Sequence, residues 1–523
     1  MDAVSLKYLA LLALLTPIAA QAPGAVVPLG PFAFEAERLG PGTVTVVPQS
    51  GGPGVIYPTI QRAVNAAVEG DTVLLSDGLF YGEGNRDVLV EGKNLTIRSE
   101  NGRDRCVIDC GRRGRAFAFV GPDVTSETLL YGITIVRGNV AERPDGDDWG
   151  GGVVTRSGSL PTIEDCAFLS CSAEAGGGLF YAENIALPVP GVIRDCHFAF
   201  NFVDLTGGGL LTTNAVVDRC TIVNNTARLR AGGISASART VVRDSLIAEN
   251  QILQGSSNGG GVSIFASDCA LANCTIVDNH GPISGGGVFV RAGTSPEISN
   301  CIVWGNSAVA FGDQIFLEQF SAPTINSCTV EQGLGGIQSG DAVAPIITLL
   351  SDEDPLFQNV GEQNYRLMPG SPSIDGGDPA FVADINEGDL DLFPRVAGAL
   401  VDRGCLEFRA GLALSLVSPG RAGEENELQV QGARPRCPVF LFYSGSVGAT
   451  DVSFGACHEL TLELNGPEQL AVLMPGASGR ASYTQHVPES LRGVTIHVQA
   501  ICFDPEDSAA GCLVSNRMQF TYP

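Results

Sequence analysis

The sequence has very little lysine and little charge for its length. Lys7 and Lys93 are the only lysines among 523 residues, charged residues make up 17% of the chain, and the formal net charge is −26. A surface of that sign repels phosphates and anionic lipid, so no nucleic-acid partner is expected. Such acidity usually serves solubility, and the alternatives are cation binding or tolerance of a salty exterior.

The sequence also lacks an apolar run long enough for a membrane span. The longest stretch, Tyr8–Ala20, follows Lys7 and ends at an acceptable cleavage site before Gln21. Its length suits a secretory signal rather than a transmembrane helix. Residues 1–20 are therefore predicted to be a signal peptide and 21–56 an N-terminal segment. The mature protein is expected to be secreted or extracytoplasmic, at the cell surface, without a membrane span.

Helix-length amphipathic segments are scarce, and a short phrase recurs instead. It reads apolar, two polar residues, Cys, any residue, apolar, two residues and Asn, and a second phrase of Gly-Gly-apolar falls between its copies. The copies begin at Ile163, Ile193, Val217, Val242, Leu271, Ile298 and Ile325. Recurrence at a near-constant interval, with small insertions tolerated, predicts a solenoid. The apolar runs are short and rich in β-branched residues, so the repeats are predicted to be β-strand coils.

Two columns of this solenoid are expected to point inward and stack from coil to coil. Small apolar thiols would form one and side-chain amides at a bend the other. The predicted structural residues are Cys166, Cys196, Cys220, Cys274, Cys301 and Cys328 for the first column, and Asn201, Asn225, Asn250, Asn279 and Asn306 for the second. Free thiols are favoured for the first column, and disulfides between neighbours are the alternative.

These phrases resemble those of a known group of proteins. Residues Tyr57 to Phe408 are similar to bacterial exported right-handed parallel β-helix proteins of the pectate-lyase-like superfamily. The Gly-Gly-apolar phrase and the Phe198 to Asn201 phrase resemble polymorphic outer-membrane protein repeats. The resemblance implies the fold but no single activity, because lyases, hydrolases, epimerases and adhesins share it.

The predicted fold class is all-β, with a right-handed parallel β-helix of about 9–11 coils over residues 57–408. A short capping helix is expected from Thr59 to Val68, with Thr59 as its N-cap. Residues 354–408 resemble the closing coil of the same proteins. Alternating strands separated by turns over residues 411–523 predict a small immunoglobulin-like β-sandwich.

The C-terminal domain has its own cysteines. Cys437, Cys457, Cys502 and Cys512 are possible disulfide partners. The pairing Cys437–Cys457 with Cys502–Cys512 is favoured, and all three connectivities remain open.

A row of charged turn positions precedes the cysteine column. Its candidate catalytic residues are Asp195, Asp218, Arg219, Arg243 and Asp244. Acids and arginines on neighbouring coils could grip an acidic sugar, since β-helix lyases and glycosidases need clustered carboxylates. The favoured alternative is a ladder of ion pairs, because every coil carries such a pair and an active site needs one distinctive cluster.

Other candidates for chemistry are few. Trp149, in a long acidic insertion, is the candidate for stacking on a sugar ring. His197 and His280 have no partners at metal-ligand spacing, so no metal site and no cofactor are predicted, and calcium is kept as a candidate ligand.

The hypothesis is therefore a monomeric, secreted or cell-surface, non-catalytic scaffold. It would bind polysaccharide or a surface component, in the manner of an adhesin. The alternative is a carbohydrate-active enzyme, a lyase or hydrolase of acidic polysaccharide, that uses the outward Asp/Arg row.

Overall fold

A computed structural model describes most of the chain after residue 39. The residues it describes are 40–50, 52–141, 146–182, 189–254, 259–340, 344–383, 387–409, 411–433, 437–454, 457–475, 480–503 and 512–522. The predicted signal peptide lies outside them, as does most of the predicted segment 21–56.

The chain forms a parallel β-helix in which short strands follow one another around each coil and pair with their equivalents in the next. Four sheets result, named here sheets 1 to 4 in the order in which a coil visits them. Sheet 1 contains Val55–Tyr57, Val44–Val47, Thr72–Leu75, Thr96–Ser99, Leu129–Tyr131, Thr162–Glu164, Gly191–Arg194, Ala215–Asp218, Val241–Arg243, Ala270–Ala272, Glu297–Ser299, Thr324–Asn326 and Ile346–Thr348.

Sheet 2 follows sheet 1 after a tight turn. Its strands are Gly78–Tyr81, Cys106–Asp109, Thr134–Val136, Ala167–Leu169, His197–Ala199, Thr221–Val223, Leu246–Ala248, Thr275–Val277, Ile302–Trp304 and Thr329–Val330. The shorter sheet 3 contains Ser172–Ala175, Phe202–Thr206, Thr226–Ala227, Gln251–Ile252, His280–Gly281 and Ser307–Ala308.

Sheet 4 completes each coil. Its strands are Val88–Glu91, Phe117–Val120, Val153–Arg156, Leu179–Ala182, Leu210–Thr213, Ile234–Ser237, Val262–Ile264, Val288–Val290, Ile315–Leu317 and Ile337–Ser339. Sheets 2 and 4 each have 10 strands, one per coil. The predicted parallel β-helix and its number of coils are confirmed.

The recurring Gly-Gly phrase lies between sheets 3 and 4, where neighbouring coils approach most closely. A Cβ built on Gly208 would lie 2.1 Å from the carbonyl oxygen of Gly232, and one on Gly232 would lie 2.5 Å from that of Gly260. No real Cβ tolerates such a distance to backbone, so only glycine allows the coils to stack at the spacing of a β-ladder.

The N-terminal end of the solenoid is closed by a helix and an antiparallel strand. The helix spans Ile60–Ala66, and its N-cap is Thr59, whose hydroxyl accepts a hydrogen bond from the Arg62 amide. The capping helix and its N-cap are therefore confirmed. Val44–Val47 pairs antiparallel with Thr72–Leu75, the first strand of the parallel stack.

After the last solenoid strand the chain turns back along the outside of sheet 2. This return segment, residues 351–409, begins with the antiparallel strands Phe357–Asn359 and Asn364–Leu367. The 3₁₀ helix Val360–Glu362 connects them, and another, Gly333–Gly336, lies within the final coil. Tyr365 and Leu406 of the return segment pack on outward apolar residues of sheet 2. The range predicted for the β-helix, 57–408, thus includes this outer layer, in which the described residues of 354–408 lie outside the coils.

The C-terminal domain consists of small antiparallel sheets. One contains Ala413–Leu414, Glu425–Gln431 and Ala481–His486, another contains Glu468–Leu473, Val439–Ser444, Thr495–Phe503, Cys512–Val514 and Met518–Thr521, and a third pairs Val447–Phe454 with Cys457–Leu464. A 3₁₀ helix spans Glu489–Leu491. Side chains from the first two sheets share one apolar core, as in a β-sandwich.

Two observations bear on the earlier expectations for this domain and for the membrane. Cys512 takes part in a disulfide bond, and Cys437 and Cys502 are buried in the domain core. The Cys457 side chain lies outside the described part, so the proposed pairings stay predictions.

Among the described residues, no helix is long and apolar enough to cross a bilayer.

Candidate functional site

The charged row predicted from the sequence lies at the turn between sheets 1 and 2. We call it the charged column; its members in the coils of interest are Glu164, Asp165, Arg194, Asp195, Asp218, Arg219, Arg243 and Asp244. Several of them occupy left-handed backbone conformations, among them Asp195 at φ 55° and Asp244 at φ 51°. This tight turn places the side chains of successive coils above one another.

Ion pairs between neighbouring coils run through the column. Arg194 contacts Glu164 at 2.9 Å and Arg219 contacts Asp195 at 2.8 Å across coils, and Arg219 also contacts its sequence neighbour Asp218 at 2.9 Å. The Asp218 carboxylate also accepts a hydrogen bond from Arg243 at 3.1 Å. The arrangement is the alternating ladder that keeps like charges on stacked strands apart.

The later half of the column is covered by the return segment. Arg395 lies 3.3 Å from Asp244, and both side chains are 0% exposed. Arg395 also approaches Glu407 at 3.4 Å and donates hydrogen bonds to the backbone carbonyls of Asp402 and Gly404.

Residues of the return segment and of the C-terminal domain also contact both ends of the charged column. Asp378 accepts a hydrogen bond from Asn326, two coils beyond Asn273, while Arg421 of the C-terminal domain lies 2.6 Å from Glu164. Glu424 lies 3.1 Å from Arg98. Within the return segment the contacts do not follow one direction along the solenoid, because Gln363 contacts Glu249 whereas Arg403, later in the chain, contacts Thr329 of a later coil.

Burial raises the pKa of carboxyl groups in the column. The pKa of Asp244 is raised to about 7 by desolvation, against the opposing effect of Arg395. That of Asp165 is also raised to about 7 by desolvation, against the effect of Arg103, which lies 3.5 Å away. Asp165 retains a 30% exposed side chain. Asp165 and Asp244 thus share a pKa suited to a general acid or base at neutral pH, but only the Asp165 carboxyl is accessible to a substrate.

The structure therefore brings the five candidate catalytic residues together. Their side chains form ion pairs that link neighbouring coils to one another and to the return segment. Each of Asp195, Asp218, Arg219, Arg243 and Asp244 has an oppositely charged partner within 3.3 Å. A substrate would have to displace those partners.

Trp149 forms a different kind of site, on the outside of the solenoid at the edge of sheet 3. Its ring stacks on Phe180 of the next coil with centroids 4.9 Å apart and planes 17° apart. Phe180 is almost fully buried beneath it, whereas Trp149 remains 44% exposed. One face of the indole is thus supported and the rest is open to solvent, which is the arrangement of a stacking platform.

Ionic contacts fix the loop that carries Trp149. Asp147 lies 2.6 Å from the buried Arg115 and also pairs with Arg156. The Glu174 amide donates a hydrogen bond to the carbonyl of Asp148 at 2.7 Å. Their two carboxyl groups are hydrogen bonded to each other, which raises the pKa of Glu174. Sugar hydroxyls could donate to these oxygens beside the platform.

The sequence analysis named Trp149 but missed the residues that make it a platform. Phe180 directly follows an inward position of sheet 4, so the alternation of a strand could have placed it outward. Nothing in the sequence links Asp147 to Arg115, because the contact spans 32 residues and depends on coil register.

His197 and His280 do not add a site. Burial lowers the pKa of His197 to about 4, so it is neutral at physiological pH. His280 is exposed, and its Nδ1 lies 3.0 Å from the Ser307 hydroxyl. Within the described ranges, no group of three or more His, Cys, Asp or Glu side chains is arranged to hold a metal ion.

Comparison with known proteins agrees with the fold. The model of the right handed beta helix region matches residues 209–349, which lie within the solenoid described above. No protein with curated information matches the chain.

Proposed function

We propose that this protein is a secreted or cell-surface scaffold that binds polysaccharide through the exposed face of Trp149 and does not turn it over. The observation that carries the proposal is the Trp149–Phe180 stack, because a partly exposed indole held flat on a second ring is preorganised for the apolar face of a sugar. The hydrogen-bonded carboxyls of Asp148 and Glu174 supply polar contacts at its edge.

The ion pairs within the charged column support a binding role over catalysis. Its candidate residues are held in ion pairs, and Asp244 is sealed beneath Arg395. The protein acts as a monomer outside the cytoplasm in this proposal, and calcium is a candidate ligand to be tested with it.

A second function has one specific observation in its favour. Asp165 combines a partly exposed carboxyl with a pKa raised to about 7, as a lyase or hydrolase of acidic polysaccharide would need. Asp165→Asn is the variant that tests this alternative.

The test uses the protein from Gln21 onward with a panel of neutral and acidic polysaccharides, with calcium or with chelator. Retention on insoluble polymer and release of reducing ends or unsaturated uronides are measured together. We expect retention without product, and loss of retention in Trp149→Ala but not in Tyr81→Ala, which removes another exposed aromatic ring. Product that disappears in Asp165→Asn would establish the enzyme instead, and absence of retention on every polymer would refute the scaffold.

A further inference from the structure

Trp149 belongs to a column of residues that runs from coil to coil along the solenoid axis. Each member lies just before the glycines between sheets 3 and 4, with Ala231 between Arg230 and Gly232, and pairs with its equivalent in a neighbouring coil. We call this the rim column; its described members are Trp149, Ala175, Thr206, Arg230, Ser284 and Phe311. The backbone bridges Trp149–Ala175 and Ser284–Phe311 show that both ends follow the same register.

Each end of the rim column carries an exposed aromatic ring beside an outward phenylalanine of sheet 4. Phe311 is 56% exposed, and its ring lies beside that of Phe316 in the strand that follows, with centroids 6.2 Å apart and planes tilted by 36°. Phe316 in turn stacks on the buried Phe289 at 6.1 Å with an interplanar angle of 11°. Phe311, like Trp149, is therefore an exposed ring beside an outward phenylalanine of sheet 4.

The distance between the two rings follows from the coil count. The sheet 4 strands that follow Trp149 and Phe311 begin at Val153 and Ile315, which are separated by six coil steps in the order of that sheet. With about 4.8 Å per step, the rings lie roughly 29 Å apart along the solenoid axis. A pyranose unit has about the length of one step, so an extended chain of several sugars would span the gap.

The residues between the rings favour an uncharged ligand. The described members there are small or polar, and only Arg230 is well exposed. Arg230 is cationic, whereas Asp148 and Glu174 beside Trp149 are acidic, so the surface offers no field of a single sign to a polyanion. Exposed rings at the two ends, with mostly small and uncharged residues between them, match the apolar faces of a neutral sugar chain.

We infer that the rim column is one elongated binding tract for an uncharged polysaccharide chain that lies along the solenoid axis, with Trp149 and Phe311 as its end platforms. The inference rests on the proposed function and adds the second platform, the direction of the chain and the class of sugar polymer.

The test is the dependence of affinity on oligosaccharide length. Cello-, xylo- and manno-oligosaccharides, from disaccharide to decasaccharide, are titrated calorimetrically into the parent protein, Trp149→Ala, Phe311→Ala and the double variant. For the uncharged series that binds, Trp149→Ala should weaken affinity about 3- to 10-fold at every length. Phe311→Ala should leave short oligomers unaffected and weaken the longest ones about 3- to 10-fold. Phe311→Tyr, which keeps a ring, should restore the long-chain affinity.

Controls locate the effect and separate the outcomes. Tyr81→Ala should bind like the parent, and a Trp304→Phe background leaves Trp149 as the sole tryptophan, so its fluorescence should change on binding. Equal affinity of Phe311→Ala and parent at every length would overturn the tract while leaving the Trp149 site intact. Stronger binding of oligogalacturonides than of neutral oligomers would also overturn it. No binding by any oligomer would refute the proposed function itself.

Discussion

Arg395 of the return segment lies 3.3 Å from Asp244 of the charged column, and neither side chain reaches solvent. The pair joins two parts of the chain that are far apart in sequence. It also leaves a guanidinium surrounded by protein, with Glu407 as its second acidic neighbour.

Replacing Arg395 with methionine should destabilise the protein strongly. Above a pH of about 8, where both carboxyl groups are ionised, the substitution leaves Asp244 and Glu407 buried without their cation, which typically costs about 3–5 kcal/mol of unfolding free energy. Denaturant unfolding measures the loss. Arg105→Met is the control, because Arg105 is 68% exposed and its pair with Asp77 should contribute less than about 1 kcal/mol. Similar losses in the two variants would contradict the assignment of a buried anchor.

Stability should fall as the pH rises through neutrality. The pKa of Glu407 is raised to about 8 by burial, whereas an unfolded glutamate has a pKa of about 4.3. The folded state therefore binds more protons between these values, and unfolding free energy decreases over that range and levels off above it. Glu407→Gln should flatten the profile between pH of about 5 and 8, measured by unfolding at a series of pH values. An unchanged slope in this variant would show that Glu407 is ionised in the folded protein.

Cysteine and serine should be interchangeable at positions 220 and 245 of the interior cysteine column. Ser245 occupies the cysteine position of its coil, where its hydroxyl donates to the Arg243 carbonyl at 2.7 Å. Cys220 points its thiol at the equivalent carbonyl of Asp218 at 3.4 Å. Both Cys220→Ser and Ser245→Cys should therefore change the unfolding free energy by no more than about 1 kcal/mol. Cys220→Leu, which overpacks the interior, is the contrasting variant and should cost about 1–3 kcal/mol.

The amide ladder should be much less tolerant. Asn250 accepts hydrogen bonds from the amide and side chain of Asn225, and its own side chain donates to Ile222 and Asn279. Asn250→Ala leaves several buried groups without partners, and each costs about 1–3 kcal/mol. The exposed Asn101, bonded only to Asp77 among described residues, provides the control variant Asn101→Ala. Thermal unfolding of both variants tests the contrast.

Much of the solenoid could be predicted because one physical constraint is repeated in every coil. The spacing of Ile163, Ile193 and Val217 gives the period, and these residues do stack in register. The alternation of polar and apolar residues around each cysteine also identified the charged column. Local patterns of this kind depend only on neighbours in sequence or one repeat away.

The cover over that column could not be predicted, because its contacts follow no period. Arg395 and Asp244 belong to segments with no common repeat, and either residue alone is compatible with an exposed ion pair. For the same reason, the sequence revealed Trp149 but not the residue that supports its ring. Its supporting ring, Phe180, comes from the following coil, after an intervening sheet 3 strand.

The contact between the start of the C-terminal domain and an early coil has a consequence for the order of synthesis. Arg421 contacts Glu164, which precedes it by 257 residues, so a nascent chain completes the early coils long before their cover exists. Chains fold largely from the N-terminus as they are made or exported. The acids and arginines of the early coils must therefore remain soluble and mutually paired on their own until Arg421 and Glu424 have been synthesised and can contact them.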